Sequence, residues 1–289
     1  MLTIIFNKKI KKMIIDGKEI AKKIYDEIKK EVSLLKTKPT LGAILVGNNS
    51  SSLRYIEQKK KWAEYTGINF KLEKFDEKIS ELELYNKIKS FNENPEISGY
   101  IVQLPLPKHI NSQKIINNIH PKKDVDGFHP NNQGKVLLGD ESGFVPCTPA
   151  GILEILKEQE VQLEGKVVCV IGRSNIVGKP IISLLINAGA TVLACNSKTK
   201  NLSKFSTQAD IVIVAAGSPG LLKVNMLKVG SIIIDVGFTV IDGKIYGDAD
   251  TKLIDLVGSK VTPVPGGVGA LTVACLMKNT LKAYKIQNK

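Results

Sequence analysis

The stretch VVCVIGRSNIVGKPIISLL, residues 167–185, constrains the fold of this chain more than any other part of it. It begins with an apolar, mostly β-branched run that is typical of a buried strand. Gly172 and Gly178 bound a short polar turn, and an apolar segment with helical spacing follows. A strand, a glycine-containing turn and a helix in this order predict one unit of a nucleotide-binding α/β sheet.

A second predicted strand, TVLAC at residues 191–195, ends in Asn196-Ser197-Lys198. A site for NAD normally has Asp or Glu at this place to bind the ribose 2′-hydroxyl. This chain has a hydroxyl and a cation there, and Arg173, one of only two arginines, lies in the preceding turn. A guanidinium beside the phosphate turn favours a cofactor with an additional phosphate, and hence NADP.

The glycine spacing by itself is a weak signal, because turns from strand to helix often need glycine for steric reasons. The tight G-x-G-x-x-G spacing is absent here. Arg173 and Ser197 strengthen the interpretation, since two groups suited to phosphate fall at the ends of two predicted strands. We expect Gly172, Arg173 and Ser174 to lie where backbone N–H groups at a helix N-terminus meet phosphate.

Length and composition favour a two-domain protein. A chain of 289 residues, 43% of them hydrophobic, can form two cores of ordinary size. No apolar run reaches the length of a membrane span. The N-terminus, MLTIIFNKKIKK, has its apolar residues before its basic ones, the reverse of a secretory signal. We expect residues 1–12 to be a dispensable extension, or translation to begin at Met13.

The net charge of +13 raises the possibility of nucleic-acid binding. However, the lysines are scattered through predicted helices and no RNA- or DNA-binding motif appears, so a general bias toward anionic ligands is the favoured interpretation. The four cysteines show no C-x-x-C spacing, and the three histidines do not cluster. We therefore expect no metal site, no nucleic-acid or membrane partner, and a reducing, cytoplasmic location.

Helical and strand patterns alternate along both halves of the chain, which predicts α/β units. In the first half, strands are predicted at 41–47, 68–75 and 99–107, and helices at 17–36, from Leu53 to Gly67, and at 79–92. In the second half, strands are predicted at 167–171, 191–195, 210–217 and 231–237, and helices at 149–159, up to about Asn187, and at 271–285. We expect two units joined near residues 140–150, with a ligand cleft between them, and the hydroxyls of the NNSSS loop to cap the second helix.

Tyr55 and Lys59 are spaced i, i+4 on the helix after that loop, so they share one face. Lys59 begins the run Lys59-Lys60-Lys61, and a solvated basic face is the default interpretation of such a run. The alternative is that Lys59 points into a binding site. There, burial would lower the pKa of its ammonium group enough for proton transfer, with Tyr55 orienting it or lining the pocket.

Polar residues also occur at the end of a predicted strand and in the turn that follows it in sequence. Gln103 ends an apolar strand, where its amide either finds partners in the core or faces a ligand at the carboxyl edge of the sheet. Asp124 and Asp126 lie in DVDG, which is commonly only a turn whose Asp accepts hydrogen bonds from its own backbone. A carboxylate there could also bind the N–H edge of a heterocycle, and we expect Gly127 to allow close approach of that ligand.

Taken together, several segments resemble the bifunctional methylenetetrahydrofolate dehydrogenase/methenyltetrahydrofolate cyclohydrolases. The match covers nearly all of the chain from Met13 onward, and several motifs matching in the family's order make it highly specific. The segments are VGNNSSSLRYIEQKKKWAEYTGI, GYIVQLPLP, HPKKDVDGFHP, PCTPAGILEIL, VIGRSNIVGKP and TPVPGGVG.

The resemblance implies a two-domain α/β protein. Its folate-binding catalytic domain would comprise residues 1–146 and be completed by the terminal helix at 273–289, and its Rossmann-type NADP-binding domain would comprise residues 147–272. The implied reactions are NADP-dependent oxidation of 5,10-methylenetetrahydrofolate and hydrolysis of the methenyl product to 10-formyltetrahydrofolate. They belong to one-carbon metabolism and supply purine biosynthesis, and the implied assembly is a homodimer.

Residue by residue, the resemblance implies catalytic roles for Tyr55, Lys59 and Gln103, and a folate-anchoring role for Asp126. It implies a set of cofactor-binding residues at Thr148, Gly172, Arg173, Ser174, Ser197 and Phe238. Two positions depart from the family's usual residues. Ala270-Leu271 replaces Pro-Met after PGGVG, and Ser50-Ser51 replaces Pro-Ala before Tyr55.

Two other functions compete with this one. Other two-domain dehydrogenases that act on amino acids or shikimate share the expected fold, but they leave Tyr55, Lys59, Gln103 and the DVDG turn without a common explanation. The net charge also leaves open a non-catalytic protein that responds to NADP or binds nucleic acid. Turnover of a folate substrate would distinguish the first reading from both.

Overall fold

The computed structural model describes residues 14–250 and 259–288 of the chain. These residues divide into two compact units. The first unit comprises residues 22–147 and 273–288, and the second comprises residues 14–21, 148–250 and 259–272. The expected extension at residues 1–12 lies outside the described residues.

The segment 14–21 differs from the expected domain boundaries, because it groups with the second unit. Ile14 forms a parallel bridge with Val261, and the Ile15 N–H donates to the Val261 carbonyl over 2.8 Å. A Cβ atom at Gly17 would lie only 2.2 Å from the Gly267 oxygen, so the two backbones touch directly. These contacts hold the segment beside Val261, which lies in the outermost strand of the second unit's sheet.

The first unit contains a three-stranded parallel sheet, in the order β2-β1-β3. Its strands are β1 (Thr40–Val46), β2 (Asn69–Phe75) and β3 (Gly99–Val102). Its helices are α1 (Gly17–Ser33, shared with the second unit), α2 (Ser50–Thr66), α3 (Glu81–Glu93), α4 (Ser112–Asn117) and α5 (Pro130–Leu138). Nearly every residue of β1 is buried, which explains its uninterrupted apolar sequence.

Helix α2 carries Tyr55 and Lys59, and side chains and backbone at its two ends fix where it starts and stops. The Asn49 side chain accepts hydrogen bonds from the N–H groups of Ser51 and Ser52, both at 3.0 Å. The expectation that serine hydroxyls cap this helix was therefore wrong, because the amide oxygen of Asn49 reaches these donors and the helix already begins at Ser50. Gly67 ends the helix in the left-handed conformation, as predicted.

Strand β3 is shorter than the predicted strand at 99–107 and ends at Val102. The residues that follow include Pro105 and Pro107, which have no N–H group to donate to a neighbouring strand. The Gln103 N–H still donates to the Ile44 carbonyl of β1 over 2.9 Å. Gln103 is therefore held at the carboxyl edge of the sheet.

The second unit contains a five-stranded parallel sheet, in the order β10-β7-β6-β4-β5. Its strands are β4 (Val167–Ile171), β5 (Thr191–Cys195), β6 (Ile211–Val214), β7 (Ile232–Asp235) and β10 (Lys260–Val261). Its helices are α6 (Cys147–Glu158), α7 (Gly178–Asn187) and α8 (Leu202–Ser206). A two-stranded antiparallel hairpin, β8 (Thr239–Ile241) and β9 (Lys244–Tyr246), follows β7.

The last helix, α9 (Val268–Gln287), enters the first unit at Val273. Within that unit, the Tyr284 hydroxyl lies 2.5 Å from the Thr37 hydroxyl, and the Asn279 amide donates to two carbonyls. Residues 273–287 therefore form part of the first unit's structure. None of the helices in the described part of the chain combines the length and apolar character that crossing a membrane requires.

Candidate active site

Lys59 and Gln103 meet in the first unit. The Lys59 ammonium Nζ donates to Gln103 Oε1 over 2.7 Å, and Gln103 Nε2 donates to the Leu104 carbonyl over 2.7 Å. Gln103 is buried, and Lys59 is partly buried. The default expectation of a fully solvated basic run was therefore wrong for Lys59, although Lys60 and Lys61 are exposed.

Asp126 is the negatively charged residue whose carboxylate interacts electrostatically with the Lys59 ammonium group. Burial raises the pKa of the Asp126 carboxyl to about 6, and the positive charge of Lys59 acts in the opposite direction. Burial lowers the pKa of Lys59, and the negative charge of Asp126 opposes that shift. Each group therefore stabilises the charged form of the other in a site where water solvates both poorly.

The two aspartates of the DVDG turn have different tasks. Asp124 is almost fully buried, and its carboxylate accepts hydrogen bonds from the N–H groups of Phe128 (3.2 Å) and His129 (2.8 Å) and from Asn132 Nδ2 (2.8 Å). Asp124 is thus the turn-forming residue, and the Asp126 side chain is not engaged in this turn. The residues alone left both functions open for both aspartates, and the family resemblance implied the anchoring role for Asp126.

We expected Gly127 to allow close approach of a ligand, but the structure gives a different reason for this glycine. Its φ is +74°, and a Cβ atom there would lie 2.7 Å from the Pro146 nitrogen and 2.9 Å from the Phe144 oxygen. The chain's own backbone occupies that space. Glycine is required because the DVDG turn packs directly on residues 144–146.

Two residues that were not predicted from the sequence also contact the Asp126 region. Cys147 Sγ lies 3.4 Å from the Val125 carbonyl oxygen and 3.9 Å from Asp126 Oδ1, and burial raises the pKa of its thiol. Asn279 Nδ2 donates to the carbonyls of Val125 and Val145. The one available signal for Asn279 was a polar residue in a helix whose other buried residues are mostly apolar.

Tyr55 lies one helical turn before Lys59 on α2, with 37% of its surface exposed. Burial of the rest of the ring raises the pKa of its hydroxyl, so the phenol is neutral at neutral pH. A partly accessible aromatic side chain on the same helical face as Lys59 can line a pocket for a planar ligand.

In the second unit, the turn after β4 is shaped by its two glycines. Gly172 has a φ of +140°, and a Cβ atom there would lie 2.3 Å from the Ala215 oxygen. A Cβ atom at Gly178 would lie 2.5 Å from the Gly172 oxygen. The turn therefore closes tightly on itself and on the end of β6, so the fold explains both glycines sterically and phosphate binding at this turn stays a prediction.

Arg173 and Ser197 occupy equivalent positions just after two adjacent strands, β4 and β5. Ile171 pairs with Cys195, so each of the two residues lies two positions beyond a paired residue on adjacent strands. Both are exposed, as a binding role requires. The Ser174 Oγ accepts hydrogen bonds from the N–H groups of Val177 (3.2 Å) and Gly178 (3.3 Å) at the start of α7.

The remaining predicted cofactor residues lie elsewhere in the second unit. Phe238 is 45% exposed and precedes the β8–β9 hairpin. Thr148 is partly buried near the start of α6, with its hydroxyl 3.1 Å from the Thr272 hydroxyl. The donor set of a guanidinium, hydroxyls and a glycine turn fits a phosphorylated dinucleotide chemically.

Two buried carboxylates organise the loops at this end of the second sheet, and neither was predicted. Asp248 accepts hydrogen bonds from the N–H groups of Ala216 (2.7 Å), Gly217 (2.9 Å) and Ser218 (2.7 Å), which follow β6. Asp235 accepts from the N–H groups of Gly237, Asp248 and Ala249. The loops are therefore held by backbone donors rather than by packing alone.

Comparison with known protein families identifies the family to which the chain belongs. The catalytic-domain model of tetrahydrofolate dehydrogenase/cyclohydrolase matches residues 15–126, and the model of its NAD(P)-binding domain matches residues 146–288. The chain belongs to the tetrahydrofolate dehydrogenase/cyclohydrolase family. Membership decides against the alternative of an amino-acid or shikimate dehydrogenase, and it confirms the two-domain α/β fold expected from the sequence.

Relatives in the family are similar over almost their whole length. The bifunctional protein FolD of Nautilia profundicola is 49% identical over 276 residues, which cover 94% of this chain and 97% of the relative. The crystal structure of the bifunctional FolD from Campylobacter jejuni is 46% identical, with a TM-score of 0.92 and coverage of 94% of this chain and 98% of that one. The Trypanosoma brucei FolD, solved with NADP cofactor and inhibitor, is 34% identical, with a TM-score of 0.90 and coverage of 96% and 98%.

The raised pKa of Asp126 predicts a distinctive pH dependence of stability. The folded protein keeps this proton up to about pH 6, whereas an unfolded chain releases it near pH 4, so ionisation of Asp126 opposes folding as the pH rises between these values. We expect Asp126→Asn to gain in free energy of unfolding relative to wild type as the pH rises from about 4 to about 6, and to keep that gain above it.

Urea denaturation at a series of pH values measures this difference. Asp140→Asn is the control, because Asp140 is exposed and the pKa of its carboxyl is lowered by hydrogen bonds from Ser142. The control should show no gain over that pH range. A pH-independent difference between Asp126→Asn and wild type would contradict the burial of the Asp126 charge.

Proposed function

We propose that the protein oxidises 5,10-methylenetetrahydrofolate with NADP and hydrolyses the methenyl product to 10-formyltetrahydrofolate. The observation that carries the proposal is the cluster of Lys59, Gln103 and Asp126 in a chain that matches both domain models of the family. The two reactions need a group that binds the pterin, a group that manages protons, and a site for the hydride acceptor. Each has a candidate among the described residues.

Asp126 is proposed to bind the pterin. Burial raises the pKa of its carboxyl to about 6, so the group is mostly ionised at neutral pH, and its side chain is not used by the turn in which it lies. A carboxylate can accept two hydrogen bonds from the N–H and NH₂ groups along one edge of a pterin ring. The partly exposed aromatic side chain of Tyr55 is suited to lie against such a planar ring.

Lys59 is proposed to accept and donate protons during hydrolysis of the methenyl bridge. Opening the methenyl bridge requires water to add and to lose a proton, and a nitrogen of the folate then gains one. Burial lowers the pKa of Lys59 and so increases the fraction of neutral amine that can accept a proton. The hydrogen bond to Gln103 Oε1 fixes the direction of one N–H and leaves the other positions of the nitrogen for water or substrate.

In the second unit, Gly172, Arg173, Ser174, Ser197, Phe238 and Thr148 are proposed to hold the cofactor. When bound, oxidised NADP accepts the hydride from the methylene group. Arg173 and Ser197 are proposed to bind the 2′-phosphate, since both are exposed at the ends of adjacent strands. The family model covers NAD(P) binding, and the Trypanosoma brucei relative was solved with NADP.

The family resemblance also leads us to propose a homodimer in the cytoplasm, with no nucleic-acid partner and a product that supplies purine biosynthesis. The cytoplasmic location is supported by the cysteines, since Cys147, Cys169 and Cys195 are buried thiols that form no disulfide. Light scattering coupled to size-exclusion chromatography measures the assembly directly.

The function is tested by a spectrophotometric assay with methylenetetrahydrofolate, in which NADP and NAD are compared and methenyl accumulation is followed. We expect turnover with NADP. We expect Arg173→Ala to raise the KM for NADP by about ten-fold or more, because a charge-assisted phosphate contact is lost, and to change the KM for NAD little. Lys166→Ala is the control, because Lys166 is exposed and precedes β4 at the opposite end of the sheet. No folate turnover would refute the function, and equal losses for NADP and NAD would refute the role of Arg173.

The role of Lys59 is tested by following the two reactions separately. We expect Lys59→Ala to reduce methenyl hydrolysis by about 10²-fold or more, the contribution typical of a proton-transfer group, with NADP affinity unchanged. Lys60→Ala is the matched control, because Lys60 is the next residue on α2 and is exposed. Hydrolysis at the wild-type rate in Lys59→Ala would contradict the assignment.

A further inference from the structure

Asn279 is a buried polar residue on α9 whose contacts converge on the backbone next to Asp126. Only 9% of its surface is exposed. Its Nδ2 atom donates to the Val125 carbonyl over 2.9 Å and to the Val145 carbonyl over 3.0 Å. Both hydrogens of the amide are used in this way, and Cys147 Sγ lies 3.8 Å from the same nitrogen.

The Val125 carbonyl belongs to the peptide group that joins Val125 to Asp126. It accepts from Asn279 and also from the Cys147 thiol over 3.4 Å. Rotation of this peptide would break both hydrogen bonds, which are costly to leave unmade because the donors are buried. The orientation of the backbone that carries the Asp126 side chain is thus fixed from one side.

The other side of Asp126 is fixed by the turn itself. The Gly127 N–H donates to the Asp124 carbonyl over 3.1 Å, and Gln133 Nε2 donates to the Gly127 carbonyl over 2.9 Å. These bonds lie within residues 124–133. Asn279 is the residue among those described that connects this turn to both the 145–147 segment and α9 through one side chain.

We propose that Asn279 is a positioning residue that sets the placement of the Asp126 carboxylate for folate binding. This inference rests on the proposed function of Asp126 and adds a residue far away in sequence that controls it. A displacement of about 1 Å at a binding group is enough to reduce activity substantially, so loss of the amide should act through folate rather than through the cofactor.

The test uses Asn279→Leu, which keeps a similar volume but removes both donors. We expect the KM for methylenetetrahydrofolate to rise by about ten-fold or more in both reactions, with the dissociation constant for NADP unchanged. Asn279→Ser is assayed alongside, because its shorter side chain cannot span both carbonyls and leaves no bulky group in the site. If the leucine variant does not fold, the serine variant is judged by the same criterion.

Thr280→Val is the matched control. Thr280 is the next residue on α9, is fully buried, and donates only to the Leu276 carbonyl of its own helix over 2.8 Å. It should lose stability without a rise in folate KM. A folate KM in the Asn279 variants within about two-fold of the Thr280→Val value would overturn the proposal, as would an equal loss of NADP affinity.

Asp126→Ala separates this inference from the function on which it rests. If Asp126→Ala raises the folate KM strongly and the Asn279 variants do not, the positioning role of Asn279 is refuted while the anchoring role of Asp126 stands. If Asp126→Ala leaves the folate KM unchanged, the anchoring role itself is refuted, and the positioning role with it. A rise in both, with NADP binding intact, supports the complete chain of contacts.

Discussion

The central interaction of the first unit is between a partly buried ammonium group and a partly buried carboxylate. Lys59 and Asp126 come from a helix and from a turn far apart in sequence, and each lies where water solvates its charge poorly. Removing two charges from water costs more than their attraction returns unless further hydrogen bonds complete the arrangement. Gln103 completes it for Lys59, and the surrounding turn is completed by Asp124, Asn132 and Asn279. The sheet edge, the DVDG turn and α9 can each be understood as support for this pair.

In the second unit, backbone and side-chain hydrogen-bond donors lie together at one end of a parallel sheet. Gly172 and Gly178 let the first turn close against β6, where any side chain would collide with a carbonyl oxygen. Asp235 and Asp248 then hold the neighbouring loops by accepting hydrogen bonds from backbone N–H groups. Buried carboxylates of this kind serve the loops and need not touch a ligand. Burial raises the pKa of the Asp235 carboxyl, and the hydrogen bonds from backbone N–H groups oppose that shift.

Much of the fold was predictable from the sequence, because β1, β3, β4, β6 and β7 are mostly continuous apolar runs. The predicted strands at 167–171 and 191–195 coincide with β4 and β5. The short elements were missed, namely α4, α5, α8, the β8–β9 hairpin and β10, since tertiary contacts rather than periodicity determine them. Strand β3 was predicted too long because the apolar run continued into a segment whose prolines cannot extend a sheet.

The site was predictable where a residue type was unusual for its position, and hidden where it was ordinary. Arg173 stood out because arginine is rare in this chain, and Gln103 because it ended an apolar strand. Asn279 and Cys147 could not be placed, since their importance comes from the Val125 carbonyl, and no local pattern identifies a backbone acceptor. Gly127 was misread for the same reason, because the backbone of residues 144–146 that it accommodates is distant in sequence.

The most direct test of the buried pair is a measurement of the Lys59 pKa by NMR titration of lysine side chains labelled with ¹³C at Cε. The signal of Lys59 is assigned by its absence in a Lys59→Met variant. We expect the assigned Lys59 signal to titrate clearly below the ordinary range of lysine, and its pKa to fall further in Asp126→Asn, because the opposing carboxylate charge is gone. A Lys59 signal that titrates with the exposed lysines, unaffected by Asp126→Asn, would contradict the account.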